Sequence, residues 1–189
     1  MKLVHLGKES KYLQAIITIL RDKDTSSPLF RKSLQKFGRY GGSRIADTLD
    51  YQEISVTTPL GEARGLKFVP NVVIIEILRA AVPMAEGLVK VIPSPRIGLI
   101  SASRGPAPDF KIEISYKKIP HLSDTDNLIS VDPMLATGST IKAALTDIFE
   151  SEQVTPKRVI IFSLIGAKKG IEELQKFENH YGKEIELFV

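Results

Sequence analysis

Asp132 closes the apolar run Leu128-Ile-Ser-Val131, and a loop of small residues follows in which Thr137, Ser139 and Thr140 carry hydroxyls. Ile141, Ala144, Leu145, Ile148 and Phe149 then recur at helical spacing. Strand, acid, small loop and helix start, in that order, make a cradle for a phosphorylated ribose. Ala136 and Gly138 let main-chain N–H groups come close to an anion. The hydroxyls add donors, and the helix start aims its unpaired N–H groups and the positive end of its dipole at the same point. Asp132 suits sugar hydroxyls, because it stands at the carboxyl end of a strand, where open α/β sheets bind ligands. A plain strand–turn–helix, capped by its Thr and Ser, has the same local composition. The placement of Asp132 separates the two readings.

Two arginines fall at equivalent places. Arg79 follows the run Val72–Ile77 beside the small pair Ala80-Ala81, and Arg104 follows Ile97–Ser101. A guanidinium at such a strand end can grip a diphosphate with two parallel hydrogen bonds. A surface arginine ahead of a proline-started helix accounts for Arg79 taken alone. Two arginines and a cradle, all at strand ends, favour the diphosphate. Behind Arg104, Gly105-Pro-Ala-Pro-Asp109 has the composition of a mobile flap.

These residues need a scaffold, and the rest of the chain supplies its pattern. Residues 9–20 read as a helix with Tyr12, Leu13, Ile16, Ile17 and Leu20 on one face. A second helical pattern covers 28–49, where Gly41-Gly42 predicts a kink or close packing. Residues 53–58 alternate as a strand, turn at Pro59-Leu-Gly61 and return through Leu66 and Phe68, a hairpin arm outside the main sheet. Strands are expected at 72–77, 97–101, 111–118, 128–131, 158–164 and 184–188. Helices are expected at 83–90, after Gly138, and at 167–177. Apolar strands alternating with helices predict an α/β fold: a mainly parallel sheet with helices on both faces, plus N-terminal helices and the arm. The chain reads as one domain over 1–189.

Composition narrows the function further. With 43% hydrophobic and 25% charged residues the chain is globular in character, and no apolar run reaches membrane-spanning length. The lack of cysteine removes disulfides, thiolate metal sites and a cysteine nucleophile. No signal peptide is apparent, so a cytoplasmic setting is expected. A net charge of +4 suits anionic ligands; with 7% aromatics and no Trp there is no basic run interleaved with stacking residues, which speaks against nucleic acid. His5, His121 and His180 are scattered and read as surface residues rather than metal ligands.

The wording Val131-Asp-Pro-Met-Leu-Ala-Thr-Gly-Ser-Thr140 resembles the phosphoribosyl-diphosphate (PRPP) signature of the type I phosphoribosyltransferases, in the Asp-Pro-Met version of the uracil phosphoribosyltransferases. Leu20-Arg-Asp-Lys-Asp-Thr25, Phe30-Arg31, Thr58-Pro-Leu-Gly61, Ile77-Leu-Arg-Ala-Ala-Val-Pro-Met84 and Tyr116-Lys-Lys-Ile-Pro120 are similar to that family's other segments in the same order, nearest to its archaeal members. Ser139 replaces a common glycine, and Ala80-Ala81 replaces Ala-Gly; both stay small. After a strand like 184–188 the family continues into a Tyr-Ile-x-Pro-Gly-Leu-Gly-Asp-Ala-Gly-Asp-Arg segment that recognises uracil, whereas this sequence stops at Val189. The uracil contacts therefore remain unassigned; a truncated product is the expectation, and a homologue lacking normal uracil specificity is the alternative.

The resemblance implies formation of uridine monophosphate and diphosphate from uracil and PRPP. It assigns PRPP binding to Arg79, Arg104 and Asp132, Pro133, Met134, Leu135, Ala136, Thr137, Gly138, Ser139 and Thr140. It implies Mg²⁺ carried by PRPP rather than held by protein ligands, and a homodimer or larger assembly. It also implies a guanosine triphosphate (GTP) effector at Lys32, Ser33, Leu34, Gln35 and Lys36, where a solvated basic helix face fits equally. A phosphoribosyltransferase for another base shares every PRPP feature. A non-catalytic nucleotide-sensing or RNA-binding regulator on the same scaffold would bind nucleotide without releasing diphosphate. A kinase or NTPase using the cradle for ATP is disfavoured, since no Gly-x-x-x-x-Gly-Lys-Ser/Thr run precedes a helix.

Overall fold

The apolar runs pair side by side in one sheet. A computed structural model describes residues 1–105 and 111–189, the side chains of Glu9 and Arg104 apart. In chain order the elements are β1 (Lys2–Val4), α1 (Leu6–Glu9), α2 (Lys11–Arg21), α3 (Ser27–Ala46), β2 (Tyr51–Thr58), β3 (Gly61–Phe68), β4 (Asn71–Leu78), α4 (Val82–Val89), β5 (Arg96–Arg104), β6 (Ile112–Lys118), β7 (Asp126–Val131), β8 (Met134–Leu135), α5 (Ser139–Glu152), β9 (Arg158–Phe162), β10 (Ile165–Gly166), α6 (Lys168–Tyr181) and β11 (Ile185–Phe188). The main sheet has the order β1-β11-β9-β7-β4-β5-β6. All its pairings are parallel except β5 with β6.

Both faces are covered, which explains why the inner strands are apolar without alternation. Val72 and Ile74 face a cluster with Phe37, Met84 and Leu88 from α3 and α4, while Val73, Ile75 and Ile77 face Ile141, Leu145 and Leu174 from α5 and α6. The exposed edge strand β6 is tied to α5 by Lys117, whose ammonium lies 2.5 Å from Asp147 and 2.9 Å from Ser151 Oγ.

Two details differ from the sequence expectation, the first helical stretch and the short strands, and at Gly41-Gly42 the structure selects close packing over a kink. The first helical stretch is two helices, broken at Ser10, whose hydroxyl accepts from Leu13 N at 3.3 Å as an N-cap. The long helix α3 runs unbroken through Gly41-Gly42, which serve close packing: a Cβ at Gly41 would sit 2.6 Å from the Phe162 ring, and one at Gly42 2.7 Å from Leu88. An edge strand, β1, and a two-rung ladder between β8 and β10 were not foreseen. The hairpin arm forms as expected, β2 and β3 pairing only with each other and carrying Leu60 fully exposed at the tip.

Parallel register brings the carboxyl ends of the site-bearing strands to one edge. Leu78 stands opposite Ser101, Glu76 opposite Val131, and Val131 opposite Phe162.

Candidate active site

The loop after β7 builds the cradle. Gly138, the N-cap of α5, takes φ 73°, the left-handed region that a side chain disfavours. A Cβ there would also meet Gly170 O at 2.8 Å, so the residue must be glycine for packing against α6 as well as for its turn. Sequence reasoning gave Gly138 only the role of admitting an anion; its bare side in fact faces protein. Thr137 and Ser139 share a hydroxyl contact of 3.0 Å, and Ser139 N donates to Thr137 Oγ1 at 3.4 Å, which settles the first turn. The next N–H groups of that turn have no intrahelical acceptor by position. Asp132, Met134, Ala136, Thr137, Gly138 and Thr140 surround a small concavity of about 70 Å³.

Not every residue of the expected run serves alike. Pro133 and Ser139 do not line the concavity. Leu135 does, yet its side chain is fully buried in the core.

Asp132 is partly buried, and burial pushes its carboxyl above the ordinary aspartate range, against the pull of one N–H from Met134 at 3.3 Å. A carboxylate with so few donors of its own has acceptor capacity left for ligand hydroxyls.

Arg79 stands exposed directly after β4, and the Leu78–Arg79 peptide is cis. It lines a second, wider and largely apolar groove of about 790 Å³, with Phe30, Arg31, Pro83, Pro133 and Met134 among its walls. Met134 borders both concavities. A ligand anchored in the cradle can therefore extend past Met134 towards Arg79. The side chain of Arg104 and the flap expected at Gly105–Asp109, beyond Gly105 itself, lie outside the described residues.

A layer behind the cradle escaped sequence reasoning. Ser163 Oγ donates to Asp132 O at 2.6 Å, Leu164 N and Ile165 N each reach Pro133 O at 3.1 Å, and Ala167 N reaches Leu135 O at 2.9 Å. Gly170 sits so tightly behind them that a Cβ would lie 2.7 Å from Leu135 O. The segment 163–170 thus clamps the cradle loop almost residue by residue. Only the small residues Ser163, Gly166 and Gly170, spaced after an apolar strand, hinted at it.

The expected effector segment lies on α3. Lys32 and Lys36 are exposed, Ser33 and Leu34 are buried, and Gln35 donates to Glu86 at 3.2 Å. Among the described residues no group of three or more His, Cys, Asp or Glu side chains is arranged to hold a metal ion. No helix among them is long and apolar enough to cross a membrane.

The profile of the uracil phosphoribosyltransferase family matches residues 8–185. A protein of that name from Thermococcus sibiricus is 48% identical over 189 residues, covering 98% of this chain and 78% of its own length. One from Pyrococcus furiosus is 44% identical with the same coverage of both chains. Among solved structures, the AQ2163 protein from Aquifex aeolicus superposes with a TM-score of 0.83 at 28% identity, covering 99% of this chain and 85% of its own.

Proposed function

The chain belongs to the uracil phosphoribosyltransferase family, and from that membership we propose that it joins uracil to the ribose of PRPP, releasing diphosphate. The N1–C1′ bond forms, the C1′–O bond to diphosphate breaks, and the uracil N1 proton passes to solvent. The product is uridine monophosphate, as in pyrimidine salvage. The observation that carries this reading beyond the family name is the clamped cradle with Asp132 on its rim and Arg79 across Met134.

Residues 136–140 hold the 5′-phosphate, Asp132 accepts from the ribose hydroxyls, and Arg79 with Arg104 neutralises the departing diphosphate. Catalysis then rests on holding the reactants in line and stabilising leaving-group charge, without a protein nucleophile. Mg²⁺ fits as an ion brought by PRPP: one carboxylate beside hydroxyls offers too few protein ligands, so ligand oxygens and water would complete its shell. Bound there, it supplies charge neutralisation on the diphosphate.

The whole chain acts as one phosphoribosyltransferase unit in a cytoplasmic setting. It self-associates through its arm, whose exposed Leu60 and Leu66 need a covering surface; a monomer by light scattering would refute this. GTP acts as an effector on Lys32 and Lys36, a role excluded if GTP leaves PRPP turnover unchanged or if the double alanine variant responds like wild type. The central test is PRPP-dependent formation of uridine monophosphate from uracil, with hypoxanthine, adenine and orotate as competing acceptors. Turnover with uracil is expected of a chain continued past Val189 by the family's base-recognition segment, and little or none of residues 1–189 alone. Turnover of the extended chain with another base only would move it to a different specificity.

A further inference from the structure

The main chain of Asp132 makes a contact that the strand ladder does not explain. Asp132 N donates to Phe162 O at 3.1 Å, as the parallel register between β7 and β9 requires. The next rung of such a ladder would bring Leu164 N to Asp132 O. Instead Leu164 N goes to Pro133 O, one residue further on, where the chain has bent into the cradle at a proline without an N–H of its own. The displaced rung leaves the Asp132 carbonyl without a main-chain donor. The hydroxyl of Ser163, a fully buried residue, takes it at 2.6 Å. Ser163 is itself fixed, its N–H donating to Phe188 O at 3.0 Å on the neighbouring strand.

We propose that Ser163 is a positioning residue for ribose recognition, its hydroxyl holding the Asp132 peptide so that the carboxylate stands at the sheet edge towards the sugar. The proposal rests on the reading of Asp132 as the ribose contact. Peptide orientation sets side-chain direction, and the Asp132–Pro133 peptide is the point where the ladder slips. A desolvated carbonyl without a partner is costly. With the hydroxyl gone, the peptide turns to find a donor and carries the carboxylate with it. The anchor for the 5′-phosphate, held by residues 136–140 and backed by Ala167 and Gly170, does not depend on this bond.

The test compares two ligands on one protein, ribose 5-phosphate and n-propyl phosphate, which keeps the phosphate and lacks the sugar hydroxyls. Binding is measured by calorimetry for the full chain, Ser163→Ala, Ser163→Thr and Asp132→Asn. The wild type should prefer the sugar phosphate, and Asp132→Asn should lose that preference. Ser163→Ala should bind ribose 5-phosphate about tenfold more weakly, equivalent to about 1.4 kcal/mol, with n-propyl phosphate changed less than twofold. Ser163→Thr, which keeps the hydroxyl, should retain the preference. If the added methyl prevents that variant from folding, the ratio in Ser163→Ala still decides. Equal weakening of both ligands by Ser163→Ala would show a structural role only, and an unchanged ratio would remove Ser163 from recognition. A preference that survives Asp132→Asn would refute the ribose role of Asp132 itself. One lost in Asp132→Asn and kept in Ser163→Ala would refute Ser163 alone.

Discussion

The two loops that face each other at the carboxyl edge of the sheet are held in opposite ways. The Asp132–Gly138 loop is bonded to a separate part of the chain at Asp132, Pro133 and Leu135 and is backed by Gly170. The Arg79–Ala81 loop is bonded mainly to its own neighbours: Ala81 N reaches Ile77 O at 3.2 Å and Val82 N reaches Arg79 O at 3.3 Å, with Arg79 and Ala80 exposed. One end of the site is rigid before any ligand arrives; the other can follow its ligand. A preformed anchor spares the ordering cost of binding. An arginine on a self-contained turn beside a wide groove can stay with a diphosphate as it separates from the sugar.

The largest effect should come from the looser loop. Arg79→Ala is expected to reduce kcat/KM for PRPP by about 10²–10³-fold, the scale of losing a donor aimed at developing charge. Affinity for ribose 5-phosphate should stay within about twofold, a difference that follows from the diphosphate role. Equal losses for the two ligands would erase the division between the loops.

Disturbing the rigid loop should act differently. Gly138→Val places a β-branched residue at φ 73° with its Cβ near Gly170 O. The backbone penalty alone is about 1–2 kcal/mol, so the melting temperature should fall by at least about 2–4 °C. Ribose 5-phosphate and PRPP should weaken in equal proportion, by about tenfold or more. Gly170→Ala, on the far side of the clamp, should show the same proportional loss in milder form, since its Cβ would press on Leu135 O. A Gly138→Val protein that binds both ligands like wild type would remove the preformed cradle from the site.

The unequal construction also explains what the sequence could show. β4, β7 and β9 were legible because strands buried on both faces must be apolar throughout. The cradle was legible because Gly138, its hydroxyl neighbours and the apolar spacing of α5 are all local signals. The clamp was not. Ser163 lies 31 residues from the carbonyl that it satisfies and reads along the chain as the end of an apolar strand. Gly41 and Gly42 left a kink and close packing both open along the chain, and only contact with Phe162 and Leu88 decides for packing. β1 has three residues on an edge, too few for a periodic pattern. Local chemistry marks where the ligand goes; the layer that holds that chemistry in place is made of non-local contacts.

The smallest effect concerns Asp132, where the rigid loop stores a cost. Burial raises its carboxyl above the ordinary value of 3.8, so the folded chain disfavours the charged form more than the unfolded chain does. For a raised acid, folding stability falls as pH rises from the unfolded value through the folded one, and the loss is complete above it. Asp132→Asn removes the charge and keeps the shape. At neutral pH it should therefore melt higher than wild type, and the gap should close as the pH drops below the ordinary aspartate range. Ligand reverses the order. Ribose hydroxyls supply the donors that the buried carboxylate lacks, so saturating ribose 5-phosphate should raise the melting temperature of wild type more than that of the variant. Paired thermal melts of the two proteins, across pH and with and without the sugar phosphate, check both halves. A variant that melts lower than wild type without ligand at neutral pH would show that Met134 N and the loop already satisfy the charge, and that the rigid loop stores no such cost.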